Sequence, residues 1–298
     1  MTKSSYFRSL LSFFSKVILF CFFIYLLIER GDSIDFARFQ IVNYSSLFIC
    51  LLLIPLNWLF EWMKWKEILI AIDEKTNSNN LTAFASGIVS SFLTPSLSGN
   101  FLGRMYYYDK NKRWKITGYS VLANFSQFLV SILFGIMAFQ FIPMFFEVKN
   151  WVLYLISFVS LLLFGLYFFG EKVFKNVSIT RLQSLFIQIE NGPARLKLLF
   201  LSFLRYIVFV TQYALALNAF GEKINTTILG LIAIIFLLVT LTPSLFFGKV
   251  VVRESISISV FSFAGIDPLT AACASFTTWI FNLLIPAMIA LIYVKKKK

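Results

Sequence analysis

The chain has 298 residues, 59% of them hydrophobic and 14% charged, with a mean hydropathy of +0.81. Polar side chains this sparse cannot cover a soluble globule of that size, so a polytopic membrane protein is expected and a soluble enzyme is excluded. The net charge of +13 is read as a bias of Lys and Arg toward the cytoplasmic side of a membrane, with no nucleic-acid partner.

Basic residues Lys3, Arg8 and Lys16 flank the first apolar run, 10–28, which ends in ERGDSIDF without a small-residue cleavage site. An uncleaved first helix is therefore expected. Further apolar runs follow at 42–62, 82–102, 117–141, 151–170, 198–219, 227–248, 250–266 and 269–294. Most are long enough for a helix to cross about 30 Å of hydrocarbon, whereas barrel strands would be shorter and alternating. The three cysteines, Cys21, Cys50 and Cys273, all sit inside such runs, where a buried thiol is the default and no disulfide is inferred.

The run 82–102 is the first that cannot simply cross. If it enters the bilayer and returns, the loops place twenty basic residues on the inner side and four outside; if it crosses, the tally becomes eight against sixteen. The positive-inside rule selects the re-entrant hairpin, broken at Pro95 and Gly99 in the phrase TPSLSGNFLGR. Proline removes a backbone donor there, and glycine adds freedom and a small profile. The phrase returns 148 residues later as TPSLFFGKVVVRE, with breaks at Pro243 and Gly248, and predicts a second hairpin over 227–266. Two full spans would satisfy the charges there equally well.

Each half then reads as three spanning helices and one hairpin. Residues 1–150 begin inside and 151–298 begin outside, an inverted repeat within one integral membrane domain with both termini cytoplasmic. Such repeats build carriers whose site lies where broken helices meet near the midplane. Between the halves, 171–197 carries apolar residues at near-helical spacing and predicts an amphipathic helix on the inner surface, a linker by default.

No histidine is present, which removes the usual general base and the commonest metal ligand. No phosphate-cradling glycine loop, paired-cysteine spacing or nucleophile turn occurs either, so neither an enzyme nor a cofactor is expected. What remains are ionisable residues in or beside apolar runs, each costly at membrane depth. Arg104, Arg253, Glu254, Lys249, Arg205 and Glu61 are the candidate substrate-binding residues. Arg253 and Glu254, adjacent on a helix, point about 100° apart and cannot simply satisfy each other. Two arginines converging from the two hairpins would suit a phosphate, since guanidinium offers forked, permanently charged donors. Lys64 and Lys66 beside Trp62 and Trp65 read as interfacial anchors, and Asn57, Asn124 and Gln127 as helix–helix contacts.

Four stretches carry a family likeness: NWLFEWMKWKEIL (Asn57 to Leu69), Pro95-x-x-x-Gly99, RYIVFVTQYALALNAFG (Arg205 to Gly221) and the run from Val250 to Leu291 that begins VVVRESISIS. Together they resemble the membrane domain of lysylphosphatidylglycerol synthases, whose stand-alone members are described as flippase-like. The resemblance implies re-entrant helices and translocation of a phospholipid or polyprenyl-type lipid in the cell membrane. It does not imply synthase activity, because no aminoacyl-transferase domain accompanies these residues. The chain departs from the family pattern at Asn100, where an acid often follows the glycine, and at Ala123, Asn124 and Gln127, where charged residues often stand. Val251 replaces a glycine that often precedes the Arg-Glu pair.

A membrane-embedded transferase using a lipid-linked donor is the alternative from another class. It would need an acidic pair, and the adjacent Asp73 and Glu74 fall in a loop. A non-transporting scaffold would instead have all its buried charges paired and no cavity.

Overall fold

The computed structural model describes residues 40–74, 78–93, 98–141, 149–174, 192–242 and 248–294, and every regular element among them is helical. The first apolar run, the linker residues 175–191, Pro95, Pro243, Cys21 and the tail Lys295 to Lys298 lie outside the described residues. The elements are α1 (Tyr44–Ala71), α2 (Ser78–Leu93), α3 (Ser98–Met105), α4 (Lys110–Phe141) and α5 (Asn150–Phe174). They continue with α6 (Gly192–Ala219), α7 (Thr226–Leu241), α8 (Gly248–Ser262), α9 (Pro268–Trp279), a π-helical turn (Ile280–Leu284) and α10 (Ile285–Tyr293).

Four helices are long and apolar enough to cross a membrane: α1, α4, α6 and the continuous run Pro268–Tyr293. The chain is thus an all-α integral membrane protein. Large apolar side chains point outward, among them Leu52 and Leu59 on α1, Phe158 and Leu161 on α5, and Met288 and Ile292 on α10. Against lipid such a surface carries no penalty, so the interior can be spent on polar contacts.

α1 and α6 form the central pair. Asn43 caps α1 by accepting from the Ser46 N–H at 3.1 Å and donates from Nδ2 to Asn218 Oδ1 at 2.9 Å. The Val42 and Asn43 N–H groups donate to the Ala219 carbonyl, so the start of one helix satisfies an orphan carbonyl at the end of the other. Seven residues along α1, Cys50 Sγ donates to the Gln212 carbonyl while Gln212 Nε2 donates back to the Cys50 carbonyl at 3.1 Å. Seven further, Asn57 accepts from Arg205 Nε at 2.8 Å. Polar contacts recurring every seventh residue mark an antiparallel pair in coiled-coil-like register. Pro55 falls inside α1 on its exposed side, where the lost donor disturbs no interhelical contact.

α2 and α3 fold back on each other in intimate contact. A Cβ on Gly87 would lie 2.8 Å from the Arg104 side chain, and one on Gly103 would lie 2.5 Å from the Ser86 carbonyl. Glycine at both positions is therefore what lets the two backbones approach. α7 and α8 likewise pack together, α4 packs along α7, and α10 packs along α2. A Cβ on Gly135 of α4 would lie 2.5 Å from Leu237 of α7.

Several expectations shift. α1 runs nine residues past the apolar stretch 42–62, because Lys64, Trp65, Ile68 and Leu69 are buried rather than interfacial. α4 starts at Lys110 rather than 117, and α6 at Gly192 rather than 198. Arg195, assigned to the inner loop from sequence, is buried and donates to the Tyr167 and Phe168 carbonyls of α5. The last helix is broken by the π turn, in which the Ile285 N–H bonds the Ile280 carbonyl five residues back, just before Pro286.

Candidate functional site

Glu61 on α1 is the hub of a buried cluster. Its Oε1 accepts from Arg104 Nη2 of α3 at 2.9 Å and from Asn100 Nδ2 at 3.4 Å. Its Oε2 accepts from Arg205 Nη1 of α6 at 2.6 Å, with Lys64 Nζ 3.8 Å away. Glu61, Lys64 and Arg104 are 3%, 1% and 2% exposed. One carboxylate thus faces three cations, and the charge is unbalanced by two. Each helix contributes for a local reason: Lys64 lies one turn from Glu61 on the same face of α1, and the glycine-lined α2–α3 contact brings Arg104 inward.

The cations lean on aromatic faces as well. The Arg104 guanidinium lies 4.8 Å from the Trp65 ring and 5.2 Å from Phe84, and that of Arg205 lies 5.2 Å from Phe209 and 5.8 Å from Trp58. Such faces hold a guanidinium while leaving its in-plane donors available. Arg104 Nε and Lys64 Nζ make no hydrogen bond, so donors remain unspent.

A polar chain leaves this hub across the bundle. Arg205 Nε donates to Asn57 Oδ1, Asn57 Nδ2 to Asn282 Oδ1 at 2.5 Å, and Asn282 Nδ2 to the Thr278 carbonyl at 3.1 Å. Thr278 Oγ1 then accepts from Arg253 Nη2 of α8. Asn282 sits within the π turn, a distortion often found where function requires an off-register side chain. Arg253 also lies 5.7 Å from the Tyr213 ring. Beside it Glu254 is buried, and neither of its carboxylate oxygens makes a hydrogen bond or ion pair among the described residues.

The six residues singled out from sequence are therefore distributed unevenly. Glu61, Arg104 and Arg205 converge. Arg253 does not join Arg104; the arginine that does is Arg205, from a long helix rather than from a hairpin. Glu254 finds no partner across the bundle among the described residues. Lys249 lies in α8, but its side chain, like the break at Pro243, lies outside the described residues. Gly99 is in the first turn of α3 and Gly248 opens α8. Lys66 does lie over Trp62, 5.8 Å from the ring, but Lys64 is not an anchor: burial beside Glu61 overrides snorkelling. Asn282 went unnoticed in sequence, although an asparagine in an apolar run is the same signal that singled out Asn57.

The cations of the cluster are drawn onto Glu61. A cavity of about 590 Å³ lies elsewhere, between α4, α6 and α7, with largely apolar walls that include Phe134, Met137, Tyr206 and Val210. Among the described residues no three His, Cys, Asp or Glu side chains gather into a metal-ligand set. No known protein family, no curated protein and no solved structure matches this chain.

Proposed function

We propose that the chain is a flippase-like carrier that binds the phosphate-bearing head of a phospholipid or polyprenyl-type lipid at the Glu61 cluster. The observation that carries this reading is the excess of cations: Arg104, Arg205 and Lys64 around a single carboxylate inside an apolar bundle. Charges at that depth need partners. An entering phosphate supplies acceptors for the unspent donors and competes with Glu61 for the two guanidinium groups. Glu61 holds the cations together while the site is empty.

The spacing of matched helices supports reading the two halves as an inverted repeat with alternating access. Helices α1 and α6 are both 28 residues and start 148 apart, at 44 and 192; α2 and α7 are both 16 residues and start 148 apart, at 78 and 226. The exchanged packing, α4 on α7 and α10 on α2, is what two interlocked halves would make. In this reading the doubled-back pairs α2–α3 and α7–α8 are the re-entrant hairpins, and both termini are cytoplasmic. A scaffold would have all its buried charges paired and no cavity. Glu254 has no partner among the described residues, and a cavity is present.

Reconstitution into vesicles containing a fluorescent phospholipid tests the reading. Arg205→Ala leaves Glu61 paired with Arg104 and Lys64, so the protein should fold and yet lose translocation. Arg205→Lys keeps the charge but not the fork and should retain part of the rate. Translocation at the wild-type rate in Arg205→Ala overturns the proposal.

A further inference from the structure

The Glu61 cluster does not use Glu254. This carboxylate is 3% exposed, on α8, and away from the cavity between α4, α6 and α7. Among the described residues both of its oxygens lack a hydrogen-bonding partner, and so do the buried Ser255 and Ser275 hydroxyls.

The groups around it are few. Arg253 precedes it, but its Nη2 is spent on Thr278 and its guanidinium lies over Tyr213. On the last helix Ser275 faces the carboxylate without completing a hydrogen bond to it, and Cys273, nearly two turns past Asp267, lies near Glu254. Tyr213 on α6 spends its hydroxyl on Ser257 at 2.6 Å. α7, the other helix packed on α8, carries no titratable side chain at all.

An ionised carboxylate left without donors at this depth is not sustainable: it must acquire a partner or lose its charge. Arg253 is near enough in sequence to respond, yet its Nη2 goes to Thr278 and its Nε, like the carboxylate, bonds no described residue. A carboxylate only 3% exposed suits an occupant of almost no volume better than an amine head group. We propose that Glu254 is a proton-binding site, occupied in this conformation, that binds and releases one proton per carrier cycle. The coupling to lipid movement rests on the carrier reading above; the proton site does not.

The polar chain from Arg253 through Thr278, Asn282 and Asn57 to Arg205 gives the two sites a physical connection. When Glu254 releases its proton, its charge recruits Arg253 away from Thr278.

Infrared difference spectroscopy of the purified protein in lipid nanodiscs, titrated across pH, reads the proton directly. The wild type should show the carbonyl stretch of a protonated carboxyl at neutral pH, shifted in D₂O. The band should vanish in Glu254→Gln, an isosteric neutral replacement, and persist in Glu61→Gln. In vesicles, an imposed pH gradient should change wild-type translocation of the fluorescent phospholipid and leave Glu254→Gln indifferent. Absence of the band, or its survival in Glu254→Gln, overturns the proposal. So does loss of the band on adding Na⁺ at fixed pH, which would assign the site to sodium. A band that behaves as expected in a protein that moves no lipid leaves the proton site standing and removes only the carrier reading.

Discussion

Glu61 and Glu254 are buried to the same extent, each 3% exposed, yet one is surrounded by three cations and the other faces none that bonds to it. Both are glutamates on apolar helices next to basic neighbours in sequence. The difference arises from what the surrounding helices contribute. Glu61 sits where α1 meets α3 and α6, each of which delivers an arginine. Glu254 sits where α8 meets α7, which carries no polar side chain beyond threonine, and the serine-bearing last helix. Equal burial therefore gives opposite chemistry: a fixed ionic hub at one end of the polar chain, and a group free to exchange its charge at the other.

Substitutions should separate the two sharply. Glu61→Ala strands the buried Lys64 and Arg104 and the half-buried Arg205 and should cost about 3–5 kcal/mol of stability, the usual consequence of breaking a buried ion pair from one side. Thermal or denaturant unfolding in detergent checks it. Arg205→Ala removes two charge-assisted bonds but leaves Glu61 compensated, and about 1.5–3 kcal/mol is expected. Comparing its stability with its translocation rate then shows whether the lost function outruns the lost stability.

A smaller effect, about 1–2 kcal/mol, is expected for Asn57→Ala or Asn282→Ala, since each leaves one buried amide unsatisfied. A double-mutant cycle between them should show strong coupling, because the two side chains bond directly. Glu254→Gln should change stability by about 1 kcal/mol or less, as a volume-conserving swap of one neutral group for another. A loss as large as that of Glu61→Ala would erase the contrast and indicate an ionised Glu254. Smallest of all should be Lys197→Ala. Its 2.6 Å pair with Glu67 is largely exposed on the lysine side, and such pairs contribute below about 1 kcal/mol.

Much of the fold was legible before any coordinates. Apolar runs gave the four long helices to within a few residues at most ends, because crossing hydrocarbon demands length and apolarity together. Where boundaries moved, as at Lys64 to Ala71 or Lys110 to Ile116, polar residues belonged to the helix because tertiary partners waited for them. The candidate site was half legible. Glu61, Arg104 and Arg205 stood out as charges beside apolar runs, but their convergence did not. The same reasoning paired Arg104 with Arg253, and it sent Lys64 to the interface because a lysine beside tryptophans usually belongs there.

The sequence by itself determined that this chain lives in a bilayer, that two related proline- and glycine-bearing phrases stand 148 residues apart, and that few ionisable groups are available for chemistry. Those features follow from the cost of placing polar atoms in hydrocarbon, which acts on each segment separately. Only the tertiary structure decided which charges meet. Glu61 gained Arg205 through the seven-residue register of α1 on α6 and gained Arg104 through the glycine contact of α2 on α3. Glu254 gained no bonded partner among the described residues, because Arg253 turns to Thr278 and the serine hydroxyls beside it complete no hydrogen bond. Partnership depends on the register between segments, and no local pattern of residues encodes it.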